Sequence, residues 1–152
     1  MSTFMSKLIS PMGLVVLICF FLPWITISCG NMPVINEASA MDIATGLTVN
    51  GQTQEGNSLL YLSLVGGAIL VFTGLGLWNA KNSPASVGAL IGAVIVLVVW
   101  FLFRKNLQDG VNEAAAQGFV LNHQWEMGFW GTFIGGVVGG IGALFSFGER
   151  DQ

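Results

Sequence analysis

The chain has 152 residues, of which 53% are hydrophobic and only 9% charged, and its formal net charge is −3. Soluble domains carry about 25% charged residues, so this composition excludes a water-covered globule and indicates an integral membrane protein. The five Lys and Arg form no basic patch, which excludes nucleic acid; the partners implied are the lipid bilayer and other membrane-protein subunits or further copies of the chain.

Four uncharged runs, residues 8–27, 59–78, 85–103 and 127–147, each approach the roughly 20 residues that cross a hydrocarbon layer. They predict one tetraspan domain over residues 1–152. The fold class is membrane, mainly α: a four-transmembrane-helix bundle with a small exoplasmic β-sheet cap. Helices are expected at about 7–23, 58–78, 84–104 and 127–147, with exoplasmic loops at 24–57 and 105–126.

The first run is read as a retained helix. It is too long for the apolar region of a signal peptide, and no small-residue cleavage site follows it. Pro23 ends it, because proline removes a helical hydrogen bond. Beyond it, Trp24-Ile25-Thr26-Ile27-Ser28 is β-branched and alternating, which predicts a strand. Residues 30–57 hold Glu37, Asp42 and Glu55 and no cation. Within them a short second strand is expected at 32–36, and one helical turn at 40–46 stopped by Gly46. The apolar content of this segment predicts an ordered cap.

The second run is thinned by Gly66, Gly67, Gly74 and Gly76 and ends at Trp78. A tight turn at 79–84 follows, with Pro84 placed to open the third helix; a turn this short makes the two helices antiparallel neighbours. The third run sets Ala85, Ala89 and Ala93 on one stripe and Gly88 and Gly92 on the next. Residues 104–117 are alanine-rich, so the helix is expected to continue above the bilayer until Gly118. Residues 119–125 then read as a strand that pairs with 24–28. The five tryptophans are read as anchors at the headgroup level.

The last run, 127–147, carries Gly128, Gly131, Gly135, Gly136, Gly139, Gly140 and Gly142. Each glycine in a helix costs about 1 kcal/mol against alanine, and in lipid its use is close backbone approach. Gly131, Gly135 and Gly139 form one stripe, extended by Gly128 and Gly142. Thr132, Gly136, Gly140 and Ala143 form a second beside it. These glycines, with Gly88 and Gly92, are the predicted helix-packing residues.

In layout the chain resembles claudin-like tetraspan proteins, which send a strand out of the first helix and add another from the second extracellular segment. The stretches that match are 24–28 and 119–125. The claudin Trp…Gly-Leu-Trp…Cys…Cys signature is missing, and with it the extracellular disulfide. The segment Phe21-Leu22-Pro23-Trp24-Ile25-Thr26-Ile27-Ser28-Cys29-Gly30 resembles the opening of uncharacterised bacterial four-helix membrane proteins of the F-L-P-W-(V/I)-x-(V/I)-S-C-G kind. That resemblance implies no activity.

Chemistry-bearing residues are few. Cys19 and Cys29 would stand about 15 Å apart on a continuous helix, too far for a disulfide, so Cys29 is expected as a free thiol; a disulfide between protomers is the alternative. His123 is the only histidine. A metal site needs three or four matched ligands, so none is assigned, and no cofactor is implied. Gly74-Leu75-Gly76 lacks the strand-turn-helix of a nucleotide loop. No acidic or basic residue lies within any run, unlike proton and ion carriers. The expected cap residues are Trp24, Cys29, His123 and Trp125, with no catalytic role.

Lys7, Lys81 and Arg150 fall on one side of a four-span chain, and Arg104 and Lys105 on the other. Positive charge marks the cytoplasm, so both termini are placed there, in a bacterial inner membrane. The function expected is that of a non-catalytic accessory, assembly or stabilising subunit of a larger membrane complex, recognised through its cap and its glycine-rich faces. The alternatives are a homo-oligomeric pore and a small membrane enzyme using Cys29 and His123.

Overall fold

A computed structural model describes residues 7–29, 36–46, 48–49, 52–53, 55–79, 83–118 and 120–148. In chain order the elements are α1 (Ile9–Phe21), β1 (Pro23–Cys29), β2 (Asn36–Ser39), α2 (Ala40–Thr45), β3 (Thr48–Val49), β4 (Gln52–Thr53), a 3₁₀ turn (Ser58–Leu60), α3 (Tyr61–Asn79), α4 (Ser83–Ala116), β5 (Leu121–Trp125) and α5 (Met127–Gly148). The chain is mainly helical. Helices α3, α4 and α5 are long and apolar enough to cross a membrane, while α1 is a shorter apolar helix of 13 residues.

The first helix is shorter than the 7–23 expected. Its end is decided by one missing donor. Pro23 has no N–H to give the carbonyl of Cys19 four residues back. The Trp24 indole N–H donates to that carbonyl instead at 2.8 Å, and the Leu22 N–H at 3.3 Å. The chain leaves the helix as a strand without any loop between.

The four helices form a ring in which α1 and α4 each lie against both α3 and α5. Two buried clusters fill it. One, far from the sheet, gathers Ile9, Val16, Leu70, Ala89, Ala93, Val96 and Ala143. The other, under the sheet, gathers Phe20, Trp24, Leu60, Val99, Trp100, Phe103 and Phe129 with Ala40 and Ala44 of α2.

The glycine stripes of α5 are used inside this ring. A Cβ at Gly135 would stand 2.7 Å from Cγ2 of Val16 on α1, and one at Gly131 would meet the Cys19 Sγ. On the neighbouring stripe, Gly136 faces Leu97 and Val96 of α4 at 3.0 and 3.1 Å, and Gly140 faces Ala93. Gly139 reaches Leu70 of α3, and Gly142 is buried. Gly92 and Gly66 meet reciprocally, each with the other's carbonyl oxygen 2.9 Å from where a Cβ would sit, and Gly88 faces Thr73. Backbones this close gain dispersion contact that any larger residue would forbid.

The sheet has the order β2-β1-β5, antiparallel throughout. The pairing expected between 24–28 and 119–125 is present, with Ile25 opposite Trp125, Ile27 opposite His123 and Cys29 opposite Leu121. The partner on the other edge of β1 is Asn36–Ser39, which includes Asn36 of the expected strand 32–36 and runs three residues beyond it; residues 32–35 lie outside the described residues. The helical turn expected at 40–46 is α2. Ser39 and Asp42 cap it reciprocally, and Gly46, at φ 101°, ends it. Helix α4 continues through 105–116, as the alanine-rich stretch predicts, and stops before Gly118 at φ 86°, so the expected loop 105–126 is helical over its first half. The turn at 80–82 lies outside the described residues.

Candidate functional site at the cap

The site is assembled around Trp24. Register between β1 and β2 shifts between Pro23 and Ile25. Such a bulge turns a side chain out of simple alternation, and here Trp24 is fully buried, edge-on to Phe103 and Phe129 at 5.5 and 6.0 Å. Gly128 makes the room: a Cβ there would stand 2.6 Å from Trp24 Cδ1, 2.7 Å from the Pro23 carbonyl and 2.8 Å from that of Cys19.

Phe129 is the centre of the aromatic layer. Trp125 stacks on it at 4.1 Å and Trp100 at 4.7 Å, and Trp100 also donates its indole N–H to the Phe129 carbonyl at 3.1 Å. The anchoring role expected for the tryptophans is therefore corrected for two of them. Trp24 and Trp100 are core residues, since each indole N–H has a carbonyl partner and can be buried. Trp130, 45% exposed, keeps an outward position.

Beside this layer, Glu126 closes the sheet onto α5. Its N–H donates to the Trp24 carbonyl at 3.0 Å, and its carboxylate accepts from the buried Thr26 hydroxyl at 2.8 Å. A carboxylate immediately before the first turn of α5 also meets the positive end of the helix dipole.

The projecting part of α4 does not close completely against the sheet. A cleft of about 160 Å³ lies between them, lined by Asn106, Leu107, Gly110 and Val111 of α4 and by Ile25, Ile27 and His123. A Cβ at Gly110 would meet nothing within 4 Å. His123 is half-buried, edge-on to Trp125 at 5.4 Å. The walls are apolar, with polar groups only at Asn106 and His123. Such a hollow takes an apolar side chain or ring, as a cavity of about 150 Å³ takes benzene.

Of the expected cap residues, Trp24, His123 and Trp125 are brought together in this region. Cys29 is placed at the end of β1, so its backbone position is diagonal to that of His123; its side chain lies outside the described residues. Cys19 is a buried free thiol. Among the described residues no three His, Cys, Asp or Glu gather as a metal set. Residues that sequence reasoning missed are Thr26, Glu126, Asn106 and Gly110. Gly110 carried a signal, because a glycine inside an alanine-rich helix lowers its stability for no local reason. Comparison with protein-family models, with curated proteins and with solved structures found no match.

Proposed function

We propose that the chain is a non-catalytic membrane subunit that assembles with or stabilises a larger membrane complex, and that its cap is the surface the complex recognises. Four spans are part of this proposal, with α1 as the first and both termini in the cytoplasm of a bacterial inner membrane. The single observation that carries it is the apolar cleft between α4 and the sheet. It sits on a support made rigid by the stacked aromatic layer and by the Thr26–Glu126 bond. An open apolar hollow on a rigid frame suits an anchor residue of a partner. The glycine faces, by contrast, are occupied by α1, α3 and α4, so recognition is assigned to the cap alone.

The test is purification in mild detergent with a tag on the chain. A membrane partner in fixed ratio is expected with the wild type, and its loss with Gly110→Trp, which fills the cleft. Phe72→Ala on the outer face of α3, where Phe72 is 73% exposed, should keep it. A fully functional monomer with no partner in any preparation refutes the proposal.

A further inference from the structure

We propose that the outer face of α4 binds an anionic phospholipid, with an acyl chain along the helix and the phosphate at Arg104 and Lys105. This rests on the membrane reading above. Val94, Leu97, Val98, Phe101 and Leu102 line a trough of about 360 Å³ on that face. Their spacing is that of one helical stripe, and its next position up the helix is Lys105. From Val94 to Lys105 the helix rises about 16 Å, at ~1.5 Å per residue.

Three zones follow one another along α4. The apolar trough ends at Leu102. Arg104 and Lys105 come next, both exposed. Asp109 and Glu113 lie about one and two turns beyond. The Arg104 guanidinium stands 5.6 Å from the Trp100 ring centroid, and Arg104 follows Phe101 of the trough by three residues, one turn up the helix. Among the described residues neither Arg104 nor Lys105 has a carboxylate within ion-pair distance, so no ion pair ties up either cation where the apolar surface stops. The molecule that matches this order is a bilayer lipid with a negative headgroup: the hydrocarbon lies against the trough and the phosphate meets both cations. A neutral or zwitterionic lipid would satisfy the trough alone.

The test is delipidated full-length protein in detergent, titrated with phosphatidylglycerol or phosphatidylcholine of identical chains and read by native mass spectrometry. Phosphatidylglycerol should bind at least tenfold more tightly. Each cation is worth about fivefold in attraction to an anionic headgroup, so Arg104→Gln with Lys105→Gln should abolish the preference, and Lys7→Gln at the other end of the bundle should not. Val98→Trp, on an exposed position, should displace both lipids while circular dichroism stays unchanged. Inorganic phosphate at millimolar concentration should not compete, since it lacks the chain. Equal binding of the two lipids, a preference that survives the double substitution, or displacement by phosphate alone would each overturn the proposal. Flotation with vesicles separates the two readings: a chain that floats without lipid preference defeats only this inference, and one that fails to float defeats the membrane reading too.

Discussion

Thr26 and Glu126 stand a hundred positions apart in sequence and are joined by a hydrogen bond of 2.8 Å. The bond ties the middle of the first strand to the start of the last helix. Glu126 is half-buried and Thr26 buried, so the pair acts as a latch between sheet and bundle. Thr26→Val keeps the shape and removes the donor. It should destabilise the protein by about 1–3 kcal/mol, the cost of leaving a partly buried acceptor unmet, while Thr26→Ser restores most of the loss. Thermal melts in detergent of the three proteins check this.

The glycine stripes should respond in order of closeness. Gly135→Leu drives a side chain into α1, where a Cβ alone is already 2.7 Å from Val16 Cγ2. Gly139 allows a Cβ at 3.4 Å from Leu70, an ordinary contact. Gly135→Leu should therefore cost about 1–3 kcal/mol or more by overpacking, Gly139→Leu less, and Phe145→Leu on the exposed side of α5 least. Melting temperature and expression level give the ranking; equal behaviour of all three denies the stripe a packing role.

Gly110→Ala should stabilise. The added methyl meets nothing within 4 Å, and a helix interior prefers alanine to glycine by about 1 kcal/mol. A raised melting temperature is expected, with the cleft still open enough to receive a partner. A lowered one would mean that the helix needs glycine there for a reason outside steric fit.

Asp42 predicts a pH response confined to α2. The Ser39 hydroxyl and backbone N–H both donate to its carboxylate and hold its pKa below the ordinary aspartate value. A depressed folded pKa contributes stability that is complete above the unfolded value near 4 and is lost as pH falls through the folded one. Hydrogen exchange across residues 39–46 should therefore be pH-insensitive in its opening equilibrium at neutrality and rise in strong acid. Ser39→Ala should move that rise upward in pH and loosen the helix throughout.

Register in the cap can be read by crosslinking. With Cys29→Ser as background, cysteines at Ile27 and His123 face each other across β1 and β5 and should form a disulfide, since opposed strand positions lie within bonding distance. Cysteines at Ile27 and Asn122 point to opposite faces and should not. Peptide mass mapping under oxidising conditions distinguishes the two, and bonding of the second pair alone would mean a register shifted by one.

Elements whose causes are local were legible in the sequence. Pro23 removes one donor and the β-branched run after it prefers extension, so the helix-to-strand change at that point could be foreseen. Gly46 and Gly118 stop helices because each takes a positive φ. The smooth stripes of α5 were visible as spacing, though spacing alone could not assign Gly131 and Gly135 to α1, Gly139 to α3, and Gly136 and Gly140 to α4. Burial of Trp24 and Trp100 was not legible, since it depends on carbonyls supplied by Cys19 and by the distant Phe129. The cleft was hidden for the same reason: its walls come from β1, α4 and β5, and no local pattern records the gap between them.

The order of strands across the sheet has a consequence for biosynthesis. β1 leaves the ribosome early, but one of its two neighbours, β5, is made only after α4 is finished. At about 5–20 residues per second, the hydrogen-bonding edge of β1 that faces β5 waits on the order of 5–20 s without that partner. α1 waits equally for α5, whose Gly128, Gly131 and Gly135 must close against it. A nascent chain interrupted before Trp125 therefore carries an open strand edge and an unclosed helix together. Those are the features by which quality-control proteases and chaperones would distinguish an aborted copy from a finished one.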